Sequence, residues 1–133
     1  MSFCNVLENS LLNHTFGGTT YSPLATMYVG LSTANPTDTG SLIRECTGGS
    51  YARVAITNNK TTWSTSSAGS LSNAITITFP TATASWGTVT YFFIADASTA
   101  GNVIAYGALS AAKTIDTGDT ALFNIGDLTI NLD

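Results

Sequence analysis

From residue 25 onward the chain is a succession of short β-branched and aromatic runs, five to nine residues each, cut at roughly even spacing by turn-forming clusters. That rhythm restricts the fold more than any other feature, because short runs bounded by Gly, Pro, Asn and Asp make strands and not helices. "ATMYVGLST" (25–33) stops at "ANPTDTG" (34–40). "GGSYARVAIT" (48–57) alternates, with Tyr51 and Arg53 on one face and Ala52, Val54 and Ile56 on the other. "NAITITFP" (73–80) alternates more cleanly, Ile75, Ile77 and Phe79 against Thr76 and Thr78, and Pro80 ends it because proline has no N–H for a ladder. "GTVTYFFIAD" (87–96) begins as alternation and turns apolar on both faces, as a strand covered on two sides does. "GNVIAYGAL" (101–109) follows a short turn and is expected to form a hairpin with it. "KTIDTGDTALFNIGDLTINLD" (113–133) closes the chain with "DTGD" and "IGD" turns between short strands. The predicted fold is all-β: an antiparallel β-sandwich, jelly-roll-like, over about 25–133, within one domain spanning 1–133.

The start of the chain has a different period. Phe3, Val6, Leu7, Ser10 and Leu11 recur at helical spacing, with Glu8, Asn9 and Asn13 opposite them. Ser2 is placed to cap, and Gly17-Gly18 to stop, a helix over about 3–15. Its apolar stripe of Phe3, Val6, Leu7 and Leu11 is expected to pack against the β domain, since otherwise it stands in water.

Charge excludes several functions. Charged residues are 9% of the chain, against about 25% in a typical soluble domain, and the net charge is −4. The four cations, Arg44, Arg53, Lys60 and Lys113, are scattered along the chain. They do not form the clustered footprint that nucleic acid requires, so direct DNA or RNA binding is not expected. No run approaches the ~20 apolar residues that span a bilayer, and the first residues carry no secretory signal. A soluble protein made in a cytoplasm, with no membrane partner, is the expectation. Its polar surface must come mostly from 23 threonines and 14 serines. A surface so neutral does little to keep copies apart, which favours association.

The groups that could carry chemistry are few. His14 is the only histidine, and its place at the end of the predicted helix suits the negative pole of the helix dipole. Cys4 and Cys46 make no disulfide framework and are read as free, buried thiols; no motif joins either to His14 as a nucleophile pair. Asp116, Asp119 and Asp127 could in principle share a calcium ion, but their spacing lacks the ligand ladder of a calcium loop, and Asp near Gly is itself a turn signature. The glycine-containing stretches match no phosphate loop or dinucleotide fingerprint. Trp63, Trp86, Tyr91, Phe92 and Phe93 could line a sugar platform or fill the core; the core is the reading for Phe92 and Phe93, and Trp63 stays open between the two. The expectation is therefore no catalytic, cofactor-binding or metal-binding residue, no cofactor, and no enzymatic activity. Which residues make binding contacts is not legible.

The order of the segments, "ENSLLNHTF", "TMYVGLSTANPTDTG", "GGSYARVAI", "NAITITFPTATASWGTVTYFFIADA", "GNVIAYGALSAAKTIDTGDT" and "IGDLTINLD", resembles a family of small tailed-bacteriophage virion structural proteins, often labelled tail-fibre-like. The resemblance covers nearly the whole chain. It implies a compact β domain built into a virion, made in the cytoplasm of a bacterial host, with no cofactor and no reaction. Long fibres need an elongated shaft with many repeats, which this chain lacks, so a capsid decoration or cement protein on the particle exterior is the first expectation. The alternative is a tail fibre or tail-associated receptor-binding module that recognises a host surface glycan. Expected partners are further copies of the chain, as a homotrimer, and the major capsid protein or another virion protein. One stretch departs from the plain glycine-rich lead expected before "YAR": "SLIRECTGGS" carries Arg44, Glu45 and Cys46.

Overall fold

A computed structural model describes residues 1–132, and Asp133, the last residue of the expected domain, lies outside the described residues. In chain order the elements are β1 (Ser2–Phe3), α1 (Asn5–Gly17), β2 (Thr26–Ser32), β3 (Val54–Thr57) and β4 (Ser70–Ser72). They continue with β5 (Ile77–Thr78), β6 (Gly87–Ala95), β7 (Val103–Ile115), β8 (Leu122–Phe123) and β9 (Thr129–Asn131). The architecture is all-β with one short helix, and every strand pairing is antiparallel. One five-stranded sheet runs in the order β1-β7-β6-β2-β3, and β4-β9 and β5-β8 form two-stranded ribbons.

The centre of the sheet is the β6–β7 hairpin, whose apolar run "YFFIA" needs cover on both faces. Phe92 and Ile94 point into the main core with Val29, Leu31, Ile56 and Ile104. The ribbons and the loops beside them close that side with Trp63, Ile77, Phe79 and Leu128, and the Phe123 ring stands edge-on to Phe92 at 5.5 Å. On the opposite face Phe93, Ala95, Val103 and Cys4 form a smaller cluster under Leu42 and Tyr106. Two glycines make room for the two rings. Phe93 is paired with Gly30 on β2 and lies over it, leaving no space for a Cβ there. Phe92 is paired with Gly107 on β7, where an added Cβ would come to 2.7 Å from Phe92 Cζ.

The strands of 25–33 and 87–96 and the β6–β7 hairpin form as the sequence predicts, and so do the short strands around the two terminal turns. Two of the predicted runs differ in extent. The 48–57 run is a strand only from Val54, because Gly48, Gly49 and Ser50 all take positive φ and fold the chain against Trp86, whose indole N–H donates to Gly49 O at 3.0 Å. Tyr51 packs its ring against Phe79 and Trp86 on the main-core side, while its hydroxyl meets Arg53 at Glu45 Oε1. The 73–80 run keeps its alternation of burial but is a strand only at Ile77–Thr78, with an isolated bridge from Asn73 to Trp63. Its first residue, Asn73, is 1% exposed and adds its side-chain amide to that bridge. Nδ2 donates to Ile75 O and Asn124 O, while Oδ1 accepts from the Gly126 and Leu128 N–H groups, so all four hydrogen-bonding positions are filled.

The helix also differs. Ser2 and Phe3 belong to β1, the helix starts at Asn5 behind Cys4, and no side chain caps it. Gly18 ends it in the left-handed conformation, φ 67°, as the glycine pair predicts. No residue of α1 is buried. Leu7, Ser10 and Leu11 are half-buried, Leu7 against the main core, while Val6 is exposed and drops out of the expected stripe.

Candidate functional site

The chemistry-bearing side chains singled out in the sequence are placed apart and put to structural use. Cys4 and Cys46 are free and buried, one in each cluster, on opposite faces of the sheet. Burial pushes both thiols up to about 11, so each acts as a small apolar group. His14 ties α1 to the segment that follows it: Nδ1 lies 3.1 Å from the Tyr21 N–H and 3.2 Å from Thr19 O. One nitrogen cannot accept and donate at once, and the backbone N–H can only donate, so Nδ1 is assigned as the acceptor. The Asp119 carboxylate accepts from Asp116 N–H at 2.9 Å, and Asp127 accepts from Asn124 N–H at 2.7 Å. Both close turns, as their neighbouring glycines predict. Among the described residues no three His, Cys, Asp or Glu side chains come together as a metal site. Trp63, left open between core and platform, is core, 5% exposed, as are Trp86, Phe92 and Phe93; Tyr91 is half-buried.

The "SLIRECTGGS" stretch finds its partner in "YAR". Arg53 meets Glu45 in a two-pronged ion pair, Nε to Oε1 and Nη2 to Oε2, both 2.7 Å. Its remaining nitrogen, Nη1, donates to Ala97 O and Ala100 O at 2.6 and 2.9 Å. The guanidinium stacks 5.1 Å over the Phe93 ring. Tyr51 donates to Glu45 at 3.1 Å and accepts from Leu31 N–H. The Glu45 hydrogen bonds hold Arg53 above its usual range while burial pulls the other way, and burial pushes the Tyr51 phenol well above its ordinary value. Three segments distant in sequence are thus clamped to one face of the sheet. Glu45 and Cys46 serve the fold, while the neighbouring Ile43 stands 87% exposed at the tip of the loop.

One concave feature of the molecule is not foreseen from the sequence. Between Val89 and Tyr91 the register of the hairpin slips: the single residue Thr90 on β6 faces residues 109–112 on β7. The extra residues bulge away from the sheet and open a cleft of about 710 Å³ between β7 and the 119–123 segment. Leu31, Val89 and Phe92 reach its floor, and Phe123 and Leu122 form one wall. Lys113, Asp119 and Asp127 are the charged groups around it. On the far side of the hairpin's long strand, β1 pairs only with Ala105 and Tyr106, so the rest of that edge has no strand beside it. A volume of this size is in the range that takes a small molecule or a few protruding side chains. The lining combines apolar side chains with Lys113, Asp119 and Asp127, a mixture that suits docking.

Residues 2–131 match the model of a family described as podophage GP4 fiber I protein gp80. The chain belongs to this family. Membership in the fiber I family makes it a virion structural protein of a tailed phage, as its resemblance implied. The match covers α1, the Arg53 clamp and the cleft alike. No curated protein matches the chain.

Proposed function

We propose that this chain is a non-catalytic component of a virion fibre, working as a homotrimer seated on another virion protein. The observation that carries the reading is the fiber I family match along residues 2–131. The chain is short and has no shaft repeat, so it fits as a compact head or fitting of a fibre assembled with other chains. The cleft and the exposed apolar side chains supply contact surfaces, and the low charge lets copies pack closely. Absence of catalysis is supported by the single histidine being tied to backbone, by thiols held protonated, and by two aspartates committed to turns.

Capsid decoration is the second reading, favoured by the compact fold without a shaft. Copy number on purified particles separates the two. A fibre component is present at the few copies that a tail apparatus holds, with density at the tail in a particle reconstruction. A copy number on the scale of the capsid lattice overturns the fibre assignment in favour of decoration.

A further inference from the structure

We draw no further inference here: the strongest candidate, the cleft that the β7 bulge opens beside the 119–123 segment, with Lys113, Asp119 and Asp127 around it, carries none because nothing in the structure shows what covers it.

Discussion

Cys4 and Cys46 keep their protons far into alkaline solution, and that has a thermodynamic consequence. Each thiol has an ordinary value of 9.0 and is pushed by burial to about 11 in the fold. Below pH 9 neither state has lost the proton and the contribution to stability is whole. Between pH 9 and pH 11 the unfolded chain sheds protons that the folded chain keeps, so stability falls as pH rises, by about 1.4 kcal/mol per pH unit for each thiol. Tyr51 and Tyr106, both raised, the latter to about 12 by its hydrogen bond to Asp38, add their losses from about pH 10 upward. Melting temperature followed from pH 9 to pH 11 is expected to drop steeply. The Cys4→Ala/Cys46→Ala chain should start lower, because it loses packing, and then decline less over that window; parallel curves would show that the thiols are not the titrating groups. At this scale the sequence is only partly legible. It shows that two cysteines without a framework are apolar filler, and that Glu45 is out of pattern. It does not show that Glu45 meets Arg53 or that Asn73 spans to Asn124 and Leu128, because a side-chain hydrogen bond across the fold leaves no periodicity in the chain.

At the scale of elements, the hairpin β6–β7 is organised by two rings and two glycines. Phe92 and Phe93 are neighbours in sequence but point to opposite faces, and each lies over a glycine of a different adjacent strand. Gly30 is needed for space and not for backbone freedom, since its φ is not in the left-handed region. Gly30→Ala should therefore destabilise by about 3 kcal/mol, at the upper end of what overpacking costs in a rigid sheet. Gly30→Ala/Phe93→Val should recover part of that loss in urea unfolding. No recovery in the double variant would place the strain elsewhere. The strands legible in advance were those with long β-branched or aromatic runs, because period two survives any tertiary setting. The Ser70–Ser72 strand was missed since "SLS" has no such run, and its pairing with Thr129–Asn131 is entirely long-range. The β7 bulge was missed because "ALSAAK" is small, polar and uncommitted, which suits residues that must leave a ladder. The helix was found from its period, but its face was misjudged: Phe3 went to a strand and Val6 to solvent, and the unforeseen pair Leu12 and Phe16 became the exposed one.

For the molecule as a whole, stability rests on apolar packing and satisfied polar atoms far more than on charge. One ion pair is present among the described residues, and its arginine side chain is 1% exposed. No buried side-chain nitrogen or oxygen among them lacks a hydrogen-bond partner. Salt screens exposed charges and leaves buried pairs nearly untouched. Calorimetry between low-salt buffer and about 0.5 M NaCl is thus expected to move the melting temperature by less than ~2 °C. A large shift would reveal a surface charge network that the fold does not contain.

The pairings that close this fold have a consequence for how it is made. β1 waits for Ala105 and Tyr106, β5 waits for Leu122 and Phe123, and β4 waits for Thr129–Asn131. Asn73 waits for Asn124, Gly126 and Leu128. During folding the first half of the chain therefore has no complete set of neighbours until residues 122–131 join it, and pairing across such separations is slow. A polypeptide cut short before Phe123 leaves the amide of Asn73 and the side of Phe92 open to water. Such a fragment lacks a closed core, so residues 123–131 act as the latch that completes a foldable unit.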